Sequence, residues 1–333
     1  MMKRGTKFIR KVVADQGGYF RLYASLTVLA TIVVSVLVYQ LLVFRPFQAQ
    51  SERRQAANIA YKELQLFPQS LPVLPNIFYE LWVDTADNSF SLGKFQLVSS
   101  QLVDAAGETI SEGIFSLPEE IENVSGVHMT ISDRATARGA AIDFLAGTIN
   151  NDRVVLTFNL FDPAAVTAEF TMATPTDNNS LVNEKSGIWF GDVIENEPKL
   201  FMPQAPNGWA YEGWAIHEGR TLTTGRFKNP QNADLFSGFS DVQSAGLDFP
   251  GEDFLKNPPV AVFPGLVFPI NMGGQEVKIT LEPDVNGVDP TGAGPFPAVI
   301  FSAEIPNRAD AFQLIEMEPA SQNDFPRSTV VFR

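Results

Sequence analysis

The chain has 333 residues, 45% of them hydrophobic and 19% charged, with 38 acidic against 24 basic side chains and a net charge of −14. That balance excludes a general nucleic-acid binder, because affinity for a phosphate backbone comes mainly from Lys and Arg. The absence of cysteine excludes disulfides, thiolate zinc sites and thiol catalysis, and two histidines leave no basis for a His-rich metal site.

From the N-terminus, residues 1–21 read as a short basic tail, with Lys3, Arg4, Lys7, Arg10, Lys11 and Arg21 against Asp15. Residues 22–44 carry no charge and are rich in Leu, Val and Ile. As a helix they span roughly 34 Å, enough for a hydrocarbon core of about 30 Å, so a transmembrane helix is expected. Tyr23, Tyr39 and Phe44 stand near its ends, where interfacial aromatics belong. The run is longer than a signal-peptide core and is followed by Arg45-Pro46-Phe47, which favours a retained signal anchor over a cleaved leader. The positive-inside rule places the tail in the cytoplasm and the rest of the chain outside the cell membrane. Residues 1–45 hold 7 basic and 1 acidic side chains, leaving 17 basic and 37 acidic for an acidic ectodomain. Residues 45–59 read as a stalk.

The ectodomain is internally duplicated. Tyr79-Glu80-x-Trp82, ten residues and Gly93-Lys94-Phe95 recur as Tyr211-Glu212-x-Trp214, ten residues and Gly225-Arg226-Phe227, every pair offset by 132. Val127-His128-Met129-Thr130-Ile131 matches Val277-Lys278-Ile279-Thr280-Leu281, and Phe144-Leu145-Ala146 with Ile149 is aligned to Phe301-Ser302-Ala303 with Ile305. Phe78, Glu80 and Trp82 alternate with Tyr79, Leu81 and Val83, as on the two faces of a strand. Turn formers before each Gly-Lys/Arg-Phe predict a hairpin, tighter in the second copy around Glu218-Gly219. Further strands are expected at 154–160, 169–172 and 187–190. The fold class expected is mainly β: two tandem β-sandwich-like modules, at 60–162 and 163–333, with 234–259 an inserted surface loop.

No constellation of residues assigns catalysis, a cofactor or a metal. Ser91-x-x-Lys94 has the spacing of a serine–lysine pair, but it follows a turn and enters a strand, so Lys94 is not placed over Ser91, and the duplicate has Thr223 and Arg226. Asp284-Val285-Asn286-Gly287-Val288-Asp289 reads as a polar turn rather than a calcium loop, lacking flanking helices and a terminal Glu. Asp248, Glu252 and Asp253 read as solvated, and His128 and His217 as structural. Glu80 and Glu212 recur and are the best polar candidates, either as a carboxylate pair for glycoside hydrolysis or in a shared folding role such as holding a turn.

On the Tyr-Glu-x-Trp and Gly-Lys/Arg-Phe segments, with Thr280-Leu281-Glu282-Pro283-Asp284, Ser186-Gly187-Ile188-Trp189-Phe190 and Phe249-Pro250-Gly251-Glu252-Asp253-Phe254, the chain resembles the extracytoplasmic C-terminal domain of bacterial anti-sigma-K-type factors. The resemblance implies an envelope β domain, here in tandem, that works in sensing, scaffolding or partner binding. The chain departs from that family before the span: 21 residues stand where a sigma-binding domain of several helices is expected, so a sigma-factor partner lacks its usual platform. The expected partners are the bilayer, through 22–44, and a protein outside the cytoplasm. Two further readings are a structural subunit of a cell-envelope assembly, using 234–259 or the strand-like 328–332 to extend a neighbour's sheet, and a carbohydrate-active hydrolase.

Overall fold

The computed structural model describes residues 61–333, apart from 75–76, 119–120, 122, 134–140, 180, 242–245, 258–264, 285–288 and 290–293. The tail 1–21, the apolar span 22–44 and the stalk 45–59 lie outside the described residues. Among the described residues no helix is long and apolar enough to cross a membrane, and there is no α-helix. The mainly β character is as the sequence predicts.

In chain order the strands are β1 (Glu63–Pro68), β2 (Ile77–Asp84), β3 (Ser89–Val98), β4 (Gln101–Asp104), β5 (Ile114–Ser116), β6 (Gly126–Asp133), β7 (Ile142–Thr148) and β8 (Arg153–Thr157). There follow β9 (Thr167–Thr171), β10 (Gly187–Trp189), β11 (Gly191–Asp192), β12 (Glu197–Pro198), β13 (Leu200–Phe201), β14 (Trp209–His217) and β15 (Arg220–Phe227). The last are β16 (Gly251–Asp253), β17 (Glu276–Pro283), β18 (Val299–Glu304), β19 (Leu314–Pro319) and β20 (Arg327–Phe332). Eighteen of them form two antiparallel nine-stranded sheets, and β11 and β12 pair as a separate two-stranded ribbon. The first runs β4-β3-β2-β6-β7-β8-β20-β1-β5, and the second β15-β14-β17-β18-β19-β9-β10-β16 with β13 beside β9.

The sequence repeat is a structural repeat. Tyr79 lies opposite Phe95 and Ile131, and Tyr211 opposite Phe227 and Leu281. A β-bulge falls at Leu81/Trp82 in one hairpin and at Gly213/Trp214 in the other. In β2 the alternation holds: Ile77, Tyr79, Leu81 and Val83 are buried, and the residues between them half-buried. The second hairpin turns through Glu218 (φ 53°) and Gly219 (φ 76°), the paired left-handed residues that a two-residue turn requires. One alignment is corrected by the register. Met129 faces Leu145 and Ile279 faces Phe301, so Leu145, not Phe144, corresponds to Phe301. Phe144 and Ile300 are the extra residues of matching bulges, which keeps both buried where a simple one-residue slip would turn them outward.

The last strand of each repeat leaves its own sheet. After β8 the chain does not turn back to pair with it; β9 crosses to lie between β19 and β10. After β19, β20 crosses to lie between β8 and β1, with Val330 opposite both Val154 and Leu66. The C-terminal strand is thus an interior strand with both edges paired, which corrects its reading as a free edge for a neighbour's sheet.

One hydrophobic core serves both sheets. At its centre Trp209 of β14 stacks on Phe144 of β7 (centroids 6.4 Å) and meets Phe158 edge-on (5.5 Å) and Phe296 (5.8 Å). Phe158 packs on Phe325, and Phe161 on Tyr211. Burying one such side chain contributes about 1.5–3 kcal/mol.

Candidate functional site

The recurring polar residues converge on the two bulges. In the first hairpin the Ser91 hydroxyl donates to Glu80 Oε1 (2.6 Å) and accepts from the Gly93 N–H (3.2 Å). In the second, Thr223 donates to Glu212 Oε1 (2.6 Å) and accepts from the Gly225 N–H (3.0 Å). The glycines stand at φ 117° and 115°, a region side chains rarely adopt, and their N–H groups are held by this carboxylate–hydroxyl chain. Lys94 and Arg226 flank the carboxylates at 4.0 and 3.6 Å. Tyr79 and Tyr211 donate to the Pro72 and Pro203 carbonyls, and Trp82 and Trp214 to Thr130 and Thr280. Ser91 therefore serves Glu80, not Lys94. Glu80 and Glu212 sit in different sheets, each tied to its own hairpin: a shared role in folding.

The second repeat adds something the first lacks. The segment after β15 returns over the outer face of the β14–β15 hairpin and is pinned by Asp234, whose Oδ1 accepts from Phe236 N–H (2.7 Å) and Oδ2 from Gly251 N–H (2.9 Å). Asp234 rests directly on Gly225, where a Cβ would come within 2.2 Å of its Oδ1. Between hairpin and segment lies a cleft of about 680 Å³, with Glu212, Arg226, Lys228 and Asp284 on the strand side and Leu235 and Phe236 opposite. Arg226 donates to the Pro283 carbonyl (2.9 Å) and reaches Asp284 (3.5 Å), and Lys228 holds the other Asp284 oxygen at 2.6 Å. Lys228 keeps most of its side chain in solvent, and Leu235 is fully exposed on the rim. The cleft offers a cation beside apolar surface.

The described residues of 234–259 do not form a surface loop. They contain β16 and the buried Phe239, Phe249 and Phe254. Glu252 and Asp253, expected in solvent, are completely buried. Asp253 accepts from the Trp189 indole (2.6 Å) and from the Thr176 N–H (2.9 Å) and hydroxyl (2.5 Å), and Glu252 from the Ser240 hydroxyl. One oxygen of Glu252 has no hydrogen-bond partner, and the same holds for Glu282, whose other oxygen accepts from Thr280 and the Phe296 N–H. Desolvation pushes all these carboxyls up: Glu252 and Glu282 to about 8, Glu212 to about 7, Asp234 and Asp253 to about 6. Neighbouring acids add to the rise at Glu252, Glu282 and Glu212. Sequence reasoning missed this buried acidic layer; its one signal was two carboxylates enclosed by phenylalanines at 249–254.

His128 accepts no such role: its Nδ1 lies 2.8 Å from Asp84, and its ring stacks on Trp82. His217 ends β14. Asp284 belongs to the cleft, while 285–288 lie outside the described residues. Among the described residues no group of three or more acidic or histidine side chains is poised to hold a metal. No protein-family model, curated protein or solved structure matches the chain.

The two bulge glycines give a paired test. Gly93→Ala, with open space at its Cβ, is expected to cost only backbone strain, about 1 kcal/mol. Gly225→Ala must also displace Asp234, and a loss of about 2–4 kcal/mol is expected. Denaturant midpoints of the two variants check the difference.

Proposed function

We propose that this is a single-pass, membrane-anchored extracytoplasmic β protein that binds a partner rather than catalysing a reaction. Each sheet is taken to close over its own side of the core as a sandwich-like module, akin to anti-sigma factor ectodomains. The anchor and orientation rest on the uncharged run 22–44 and its basic flank. The observation that carries the binding role is the difference between the repeats. On one common hairpin frame, the second repeat lays the segment after β15 over its hairpin and walls a cleft with an exposed leucine and a solvent-facing lysine at its mouth. Exposed apolar groups rimmed by charge are the composition of a recognition surface.

The test is co-purification from detergent-extracted membranes with the full chain, a variant lacking residues 1–20, and Leu235→Asp. An extracytoplasmic protein retained by the first two and lost with Leu235→Asp is the expected result. A partner indifferent to Leu235 would overturn the cleft's role, and a full chain that fractionates as soluble would overturn the anchor. A sigma factor lost with the tail would instead restore a regulator of the anti-sigma type.

A further inference from the structure

The crossing of β9 and β20 has a meaning beyond the closure of one fold. The strands are equivalent: Phe170 of β9 faces Ile315 of β19 as Val330 of β20 faces Val154 of β8, and each crosses on to pair with the first strand of the opposite sheet. The repeat unit therefore runs β1 to β9 and β10 to β20, and each unit donates its last strand to the other. This is the arrangement of a strand-exchanged dimer with its two halves joined in one chain. Each sheet has a slot, β8/β1 or β19/β10, that accepts a strand from a different repeat.

We infer that the β8/β1 slot also accepts β20 from a second copy of this chain, giving a strand-exchanged dimer. Two observations favour that partner, and both concern β20. Its recognition is by main-chain pairing along five residues on each side, with Ser328, Val330 and Phe332 buried, a pattern that another copy reproduces in full. Its tether, residues 320–326, is mostly exposed up to Asp324 and reaches about 24 Å when extended. The inference is independent of the cleft and of the membrane anchor.

Disulfide trapping tests it, because the chain has no cysteine of its own. Gln65, buried, and Val331, half-buried, are direct cross-strand partners on the face opposite Leu66 and Val330, at a spacing a disulfide tolerates. A full-length Gln65→Cys copy is mixed with a Val331→Cys copy, warmed in mild denaturant to free the terminal strand, returned to buffer at high concentration and oxidised. A mixed species at twice the monomer mass is expected, absent when cysteine-free chain replaces either copy. The double variant Gln65→Cys/Val331→Cys, closed within one chain beforehand, is expected to give none. Native mass spectrometry of two cysteine-free copies of different mass provides a second reading. Mixed dimers there support the proposal, and monomers alone after the same treatment overturn it whatever the disulfide does.

Discussion

Raising the pH from 5 to 8 is expected to destabilise the protein by several kcal/mol. Glu252 and Glu282 have folded-state values near 8, and Glu212 near 7, all above the ordinary carboxylate range. Below that range each carboxyl is protonated in both states and the folded form loses nothing. Between it and the raised value the unfolded chain releases a proton that the folded chain keeps, so stability falls by up to roughly 1 kcal/mol per pH unit per group. Above the raised value the folded chain must hold a buried anion. Melting temperatures across pH 5–9 are expected to fall most steeply between about pH 5 and 6, less steeply from there to pH 8, and to level off above it. Glu252→Gln keeps an acceptor for Ser240 and cannot ionise, so its stability relative to the parent is expected to rise steadily from pH 5 to pH 8. A pH-independent melting temperature, or an equal deficit of the variant at both pH values, would refute the account.

Trp209→Ala is expected to cost about 3–5 kcal/mol, the range for removing a large buried aromatic side chain. Trp209 is fully buried, its indole N–H donates to the Asp143 carbonyl (3.2 Å), and its ring touches Phe144, Phe158 and Phe296. Since Phe144 and Asp143 belong to the first sheet and Trp209 to the second, the loss is shared. Unfolding followed by near-ultraviolet circular dichroism and by far-ultraviolet signal is expected to stay coincident and shift to lower denaturant together. Two separate transitions would show that the sheets have independent cores.

How much of this was legible beforehand depended on the range of the contacts. The hairpins were readable because Tyr-Glu-x-Trp and Gly-Lys/Arg-Phe lie within 17 residues and their spacing encodes a bulge that only glycine fills comfortably. The alignment at Phe144 failed by one because residue identity matched Phe with Phe, while pairing matched Leu145 with Phe301. The exchange of β9 and β20 left no local trace: Val330 reads as a strand residue whichever sheet receives it. Glu252 and Asp253 misled for a related reason. Adjacent carboxylates are normally solvated, and only the distant Ser240, Thr176 and Trp189 make their burial tolerable. The cleft depended on Asp234 meeting Gly225 across the segment, which no periodicity announces.

The pairing of β1 with β20 also decides how this unit would bear load. The Lys62 and Glu63 N–H groups both reach the Arg333 carbonyl, and the Arg333 N–H returns to the Glu63 carbonyl at 2.8 Å. The two extremities of the unit are clasped at one point. Tension drawn between them stresses a single rung at a time, in the manner of a zipper, and opens the first sheet between β1 and β20 before it loads the other strand pairs. A pull on Arg333 is passed directly to Lys62 and Glu63 through these bonds.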